Sequence, residues 1–449
     1  MLRLQQPLFV LNSEGGYYNI QMYTSGHLFF AFLFIQSVSI AFTVNHEEID
    51  NDNRIYKPGI KTVLFHKAGV EMSAPVIMLR SDEKLQLSFD DLDGDLKPYK
   101  FTVTHCAAGW TVSPELTMND YIDGIREGNI DEFTYSYNTT VPYTHYSLLF
   151  PTDNMRIKIS GNYILTVYNE DPQDVVLTRR FMVAETTSAG IVGKVHQASS
   201  TTDRFTKQEV DFDLFFNGMQ VYDPLREIKV VVTQNDRWDN AIRDIKPRFV
   251  KSGSLDYNYD DQIIFNGANE FRAFDTKSLI YQSERIRRIQ YDTGGYNVFL
   301  LDDVRRTTKN WINDKDINGR MFIKNEVNAQ NSDIESDYAW IHFFLPCDPV
   351  IAGGQVFILG ALTDWQIDEN SRMRYNPFRK GYEKKLFLKQ GYYNYIYVVK
   401  ETGKSTVEES IIEGSHWEAE NEYTVWIYYR ESGGLYDRII AVQNLLSNQ

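Results

Sequence analysis

The chain has 449 residues, of which 43% are hydrophobic and 14% aromatic, and its formal net charge is −15. At roughly 150 residues per domain this length predicts about three globular domains, and the composition excludes a chain that is disordered throughout. The acidic surface excludes general nucleic-acid binding and disfavours binding to anionic lipid, because both ligands carry phosphate groups that it would repel.

The amino end is predicted to be a leader and signal peptide over residues 1–41. Residues 28–42 read LFFAFLFIQSVSIAF, which is shorter than the roughly 20 apolar residues of a spanning helix but fits a secretory core segment. SIA at 39–41 gives a small-x-small cleavage site, and Met22 is an alternative start. We therefore expect an exported chain with no membrane span and no lipid anchor. The alternative is a buried apolar segment.

Strand-like segments dominate the rest of the chain. They alternate polar and apolar residues or are rich in Val, Ile, Tyr and Phe, and turn signals such as Asp93-Gly94 separate them. The predicted strands include 84–89, 99–104, 162–168, 227–233, 355–360 and 423–429. The nearest approach to a helical apolar period, at 118–130, is broken by Gly124 and Gly128. The pattern predicts an all-β fold of tandem immunoglobulin-like or early-set β-sandwich domains.

Two polar stretches indicate the domain boundaries. TTSAG begins at position 186 and NAQNSDIESD begins at position 328. The predicted sandwiches therefore cover residues 54–186, 187–328 and 329–449, each of a size typical of an immunoglobulin-like domain.

Two acidic turns carry the oxygen ligands that Ca²⁺ prefers. DDLDGD at 90–95 follows a predicted strand, and DKDING at 314–319 matches the first half of an EF-hand loop. The twelfth position of that loop is Asn325 instead of a bidentate Glu, and no helical pattern flanks it. We interpret both as β-turns and predict no metal site and no cofactor.

The cysteines and histidines offer no catalytic arrangement. Cys106 and Cys347 are interpreted as small buried side chains, and not as a disulfide or a metal site. His105 precedes Cys106 on a predicted strand, so the two side chains point to opposite faces and cannot form a nucleophilic pair. No zinc-binding histidine spacing, phosphate loop or serine-hydrolase elbow occurs. The protein is therefore predicted not to be an enzyme, and a hydrolase on a β-sandwich is a minor alternative.

Short words spread over residues 54–326 carry a resemblance to a known family. They are KTVLF at 61–65, PVIML at 75–79, LSFDDL at 87–92, HC at 105–106 with Trp110, DYIDG at 120–124, SYNT at 136–139, YTHY at 143–146, SGNY at 160–163, RRFMV at 179–183, QNDR at 234–237 and NEFR at 269–272. In this order they resemble the type IX secretion system plug protein family of Bacteroidota.

The resemblance implies a function and a partner. Members of this family associate with the giant outer-membrane barrel of the type IX translocon and close its pore from the periplasm when no cargo is engaged. By resemblance, this chain is expected to be a non-enzymatic periplasmic protein that is monomeric when free. Asn269, Glu270 and Arg272 are candidate interface residues, although a buried ion pair is the favoured role for this word.

The third predicted sandwich has a second resemblance. GQVFILG at 354–360, TDW at 363–365 and GYYNYIY at 391–397 resemble a glycogen-binding, early-set sandwich. In sugar-binding members of that group, an indole at the position of Trp365 stacks on the glucan. The alternative function is therefore a periplasmic or surface glycan-binding protein, although core packing is the favoured role of Trp365.

Overall fold

The computed structural model describes residues 51–327 and 329–447, which belong to one packed unit. The predicted signal peptide and the alternative start at Met22 lie outside these residues. Within them the secondary structure is almost entirely β, in several sheets, which confirms the predicted fold class. None of the helices in this part of the chain is long and apolar enough to cross a membrane.

The N-terminal region is a sandwich of one antiparallel and one mixed sheet around an aromatic core. Its strands are β1 (Arg54–Ile55), β2 (Ile60–Lys67), β3 (Val76–Met78), β4 (Leu85–Asp91), β5 (Lys100–Cys106), β6 (Ile122–Gly124), β7 (Gly128–Asn129), β8 (Glu132–Tyr135), β9 (Thr144–Phe150), β10 (Met155–Ile157), β11 (Gly161–Tyr168) and β12 (Val175–Ala184). One sheet has the order β2-β4-β9-β8, and β12, β11 and β5 are adjacent in the other. The segment with the near-helical pattern forms the four-residue helix α1 (Met118–Tyr121) and then the short strands β6 and β7.

The middle region continues directly from β12. Its elements are β13 (Gly190–Gln197), β14 (Lys207–Phe215), α2 (Pro224–Glu227), β15 (Ile228–Gln234), β16 (Arg237–Arg243), β17 (Phe249–Lys251), β18 (Ser254–Asp256) and β19 (Ile264–Asn266). The segment between β12 and β13 contains residue 186, where the first domain boundary is predicted.

The third region contains a further sandwich and is followed by the last two strands of the chain. Its elements are β20 (Arg272–Asp275), β21 (Ile286–Asp292), β22 (Gly295–Leu300), β23 (Met321–Ile323), α3 (Ser332–Glu335), β24 (Tyr338–Pro346), β25 (Gly354–Leu359), a 3₁₀ turn (Ala361–Thr363), β26 (Arg374–Asn376), β27 (Gly381–Lys389), β28 (Gly391–Glu401), β29 (Val407–Glu408) and α4 (Ser410–Glu413). The last strands are β30 (Glu422–Tyr429) and β31 (Arg438–Leu446).

The last two strands join the middle region to the N-terminal sandwich. The largest sheet has the order β16-β15-β30-β31-β12-β11-β5-β7, so β30 and β31 lie between strands from those two regions. β15 pairs along its whole length with β30, and β31 meets β12 in parallel at Ala184 and Ile439. One sheet therefore continues from the first region into the second.

The buried cores cross the second predicted boundary at residue 328. Val298 and Ile341 lie in the same C-terminal core, although they come from either side of that boundary. The middle core combines Val210 and Val230 with Ile427 from β30. Alternation identifies which residues face inward but does not say which strand will pair with them. We propose that the third sandwich is inserted between β19 and β30 of the middle one.

Ile427→Ala tests this arrangement. Ile427 is fully buried opposite Val230, so the cavity is expected to cost about 2–5 kcal/mol. Hydrogen exchange should show the loss of protection in β14 and β15, with β24 little changed. Ile341→Ala in the C-terminal core is the matched control and should show the reverse pattern. Loss of protection in β24 with Ile427→Ala would contradict the insertion.

Candidate functional site

A buried ion pair joins the N-terminal sandwich to the third one. Asp90 of β4 and Lys389 at the end of β27 have side-chain exposures of 0% and 1%, and their charged atoms are in contact. The hydroxyl of Tyr338 donates to Asp90 Oδ2 at 2.6 Å, and His145 Nδ1 lies 2.7 Å from Asp90 Oδ1. The Lys389 ammonium also lies 4.2 Å from the ring centre of Tyr143. Residues from two sandwiches therefore form one buried ion pair.

The environment keeps Asp90 ionised. Burial alone would raise the pKa of its carboxyl group, but the charge of Lys389 and the hydrogen bond from His145 lower the pKa below its usual value. The rest of the acidic turn shares a nearby cation, because the Lys97 ammonium contacts Asp93 and lies 2.8 Å from Asp91 and 3.7 Å from Asp95. Lys97 thus supplies the positive charge between these carboxylates, as expected for a β-turn.

A second buried network lies where the chain enters and leaves the third sandwich. The guanidinium of Arg272, at the start of β20, donates to both oxygens of Glu413 at 2.9–3.1 Å and to Asp303 Oδ1 at 3.0 Å. The hydroxyls of Tyr395 and Tyr397 each donate to Asp303 Oδ2 at 2.7 Å. This network connects the start of β20, which follows β19, to α4, which precedes β30.

The sequence NEFR at 269–272 belongs to this connection between the middle and third regions. Asn269, Glu270 and Arg272 are exposed by 7%, 3% and 9%, so their side chains are not available to a partner in this conformation. Asn269 Nδ2 donates to the carbonyl of Glu413 at 2.9 Å. The ionic partners of Arg272 are Glu413 and Asp303, and Glu270 has a separate environment.

Glu270 is a buried carboxyl group with no ion pair among the described residues. Its Oε1 accepts hydrogen bonds from the indole of Trp311 at 2.8 Å and from the backbone of Glu420 at 3.1 Å. Burial raises its pKa to about 7, and the nearby carboxylate of Asp316 adds to that shift. Burial also raises the pKa of Asp316 to about 6. The Asp316 carboxylate accepts from the backbone N–H groups of Phe271 and Asn318, which fixes the second acidic turn in the fold.

Trp365 lies where all three regions meet. The guanidinium of Arg237 lies 5.5 Å from its ring centre, and Phe271 packs against it at 6.0 Å in an edge-to-face arrangement. Arg237 comes from the middle region, and the neighbouring Asp364 binds Arg179 of β12 through both oxygens at 3.0 Å. The indole therefore contributes to the packing of this junction, and Arg237 occupies one side of the ring that a sugar would need.

His105 and Cys106 pack on opposite sides of their sheet. His105 Nδ1 lies 2.8 Å from Ser113 Oγ, and Nε2 lies 3.2 Å from the carbonyl of Ser160. Burial lowers the pKa of His105 to about 4 and raises that of Cys106 to about 12. Cys106 and Cys347 are both buried free thiols, as the sequence predicts.

Sequence reasoning missed the partners that complete these networks, namely Tyr338, Lys389, Asp303 and Glu413. Lys389 begins the turn-like sequence KQG, and a lysine beside a turn is normally exposed. Alternation along β27 gives no signal either, because it places Lys389 on the same face as the exposed Lys385. The burial of Lys389 comes from its contact with Asp90 of the N-terminal sandwich.

Comparison with known proteins agrees with this architecture. Residues 60–185 match the profile of the type 9 secretion system plug protein 1st domain. The crystal structure of a hypothetical protein from Parabacteroides merdae is 35% identical over 89% of this chain and 100% of that chain, with a TM-score of 0.85. The chain belongs to the type IX secretion system plug protein family.

Other comparisons add nothing to this assignment. The C-terminal domain of the AgI/II polypeptide BspA from Streptococcus agalactiae covers 86% of this plug-family protein and 99% of its own chain. At 8% identity and a TM-score of 0.15, this protein shares neither significant sequence similarity nor a fold with the chain. No curated protein matches the sequence at a significant level.

Lys389→Met tests the junction of the plug-family protein. Removing the ammonium leaves Asp90 buried without its cation, which is expected to cost about 3–5 kcal/mol of unfolding free energy. Chemical denaturation measures the loss. Lys380→Met is the control, because the pair between Lys380 and Asp348 is exposed by 68% and 54% and should matter little. Equal effects of the two substitutions would contradict the role of the buried pair.

Glu270→Gln tests the raised pKa. The folded carboxyl group holds its proton more tightly than the unfolded one, so its favourable contribution is complete below pH 4.5 and is lost as the pH rises through about 7. Glutamine keeps an acceptor oxygen but has no charge. The variant should therefore gain stability relative to the wild type between pH 5 and 8, by roughly 3 kcal/mol at most. Thermal melts of both proteins across this range measure the difference, and a difference independent of pH would contradict the assignment.

Proposed function

We propose that this plug-family protein associates with the giant outer-membrane barrel of the type IX translocon and closes its pore from the periplasmic side. The observation that carries the proposal is the family match over residues 60–185. A barrel that passes folded cargo has a wide pore, which would leak solutes when no cargo is engaged. A non-enzymatic stopper would prevent this leak.

The packing supports a stopper because such a protein must resist deformation. Domains joined by a single flexible linker are expected to move relative to one another. Here the pair between Asp90 and Lys389 and the pair between Arg179 and Asp364 connect the N-terminal sandwich to the third one. Release from the barrel would then be a change in interface affinity between two states of the barrel, and would need no chemical step.

Affinity purification from the native host tests the association. With a tag at the carboxyl end and mild detergent, a very large outer-membrane barrel should be recovered in near-equal amount and identified by mass spectrometry. An unrelated tagged periplasmic protein is the control. Recovery of the free monomer alone at both low and moderate salt would contradict the association.

A permeability assay separates closure from simple association. Deleting the gene for this protein should admit a membrane-impermeant dye to the periplasm. Deleting the barrel as well should abolish that leak, because the open pore is then absent. A leak that persists in the double deletion would show that the dye enters by another route.

A further inference from the structure

One face of the third sandwich differs in charge from the rest of the protein. It is the outer face of the sheet ordered β21-β22-β24-β27-β26. Ile341 and Phe343 of β24 point into the core, whereas the alternate residues Trp340, His342 and Phe344 point outward and are only partly buried. We call this surface the basic sheet face.

The strand register assembles the face from residues far apart in sequence. Phe299 of β22 lies beside His342, and His342 lies beside Lys385 of β27. Arg288 of β21 pairs with Phe299 on the other side. The row that crosses these four strands therefore has two aromatic rings in the middle and a cation at each end.

Positive charge dominates the groove along this face, which has a volume of about 960 Å³. Seven cationic and two acidic side chains line it, an excess of five positive charges in a chain whose net charge is −15. The two acids are already engaged, Asp302 by Arg287 and Glu383 by Arg379. Among the described residues, the lining cations that form no ion pair are Arg288, Arg374, Lys384 and Lys385.

Aromatic rings hold several of the cations in place. Arg288 lies 4.2 Å from the ring centre of Phe299, Arg379 lies 3.7 Å from that of Phe344, and Lys385 lies 4.2 Å from that of Trp340. A cation over a ring loses little further freedom when it binds an anion. The same contacts cover the ring faces, so stacking on a neutral sugar is disfavoured.

The shape of the surface selects among anionic partners. A planar bilayer cannot enter a groove, whereas a protruding polypeptide segment can. The tip of the hairpin between β26 and β27 adds Phe378, which is 97% exposed and adjacent to Arg379. Aromatic residues and arginine are enriched at protein interfaces.

We propose that the basic sheet face is a docking surface for a protruding, carboxylate-rich segment of a partner protein. Charge complementarity would steer the acidic segment to this groove, where cations outnumber acids, while the net negative charge of the rest of the protein repels it. This inference does not depend on which protein supplies the segment, and it stands apart from the closure of the barrel.

Fluorescence anisotropy tests the proposal with a labelled peptide of about twelve residues that alternates Glu and Ala. The full chain should bind this peptide at low salt and more weakly as salt is added. A lysine–alanine peptide is attracted elsewhere on the acidic surface, but its binding should not be weakened by the loss of cations from the basic sheet face. The triple variant Arg288→Gln, Arg374→Gln and Lys385→Gln should weaken binding of the acidic peptide by about tenfold or more.

A charge-matched variant controls for the overall field. Arg156→Gln, Arg204→Gln and Arg226→Gln remove three exposed arginines elsewhere and lower the net charge equally. Arg204 also lies over an aromatic ring, that of Phe205, at 5.2 Å. This variant should change the peptide affinity less than about twofold, since local charges dominate within a Debye length. Equal weakening by the two triple variants would overturn the proposal, and thermal melts verify that both remain folded.

Two further probes distinguish the source of the anion. Inorganic phosphate and vesicles of phosphatidylglycerol should compete weakly with the peptide. If either binds more tightly than the peptide and loses binding in the Arg288, Arg374 and Lys385 variant, the face recognises phosphate groups and the acidic polypeptide is the wrong ligand class.

Discussion

The buried pair between Asp90 and Lys389 determines how the N-terminal and third sandwiches fit together. Each ion would be costly to bury alone, and the cost is offset only when both ions and their hydrogen-bond partners are in place. Tyr338 and His145 satisfy the remaining positions on the carboxylate. A junction displaced by a few ångströms would leave a charge unpaired, so the pair specifies one relative placement. Its contribution lies in this specificity more than in net stability.

The network around Arg272 has the corresponding role where the chain passes between the middle and third sandwiches. The chain crosses this border twice, and Arg272 on the way in is bound to Glu413 on the way out. An inserted domain joined by two connecting segments that do not contact each other could rotate about those segments. Tying the two crossings through a buried ion pair removes that freedom.

The distribution of charge is uneven on this acidic chain. The bulk of the surface is negative, which keeps the protein apart from other anionic surfaces. The basic sheet face is a local exception, and its cations are arranged over aromatic rings across several strands. The net charge therefore describes the average surface of the molecule and does not predict a local surface of the opposite sign.

The sequence by itself determined the strands, the buried cysteines and the family. Alternation is a local property, because consecutive side chains on a strand point to opposite faces. Predicted strands such as 162–168 and 423–429 therefore agree with β11 and β30 to within a residue. The short motifs that resemble the family are also local, and their order along the chain can be read from the sequence.

Only the tertiary structure decided which strands pair and which charges are buried together. Val230 and Ile427 are opposite one another in the largest sheet, yet nothing near either residue in the sequence indicates the other. Asp90 sits in what looks like a solvated turn until Lys389 arrives from a distant strand. Likewise, the cations of the basic sheet face come from β21, β26, β27 and the segments beside them. Strand pairing and ion pairing depend on contacts between residues far apart in the chain, and such contacts leave no periodic trace in a single sequence.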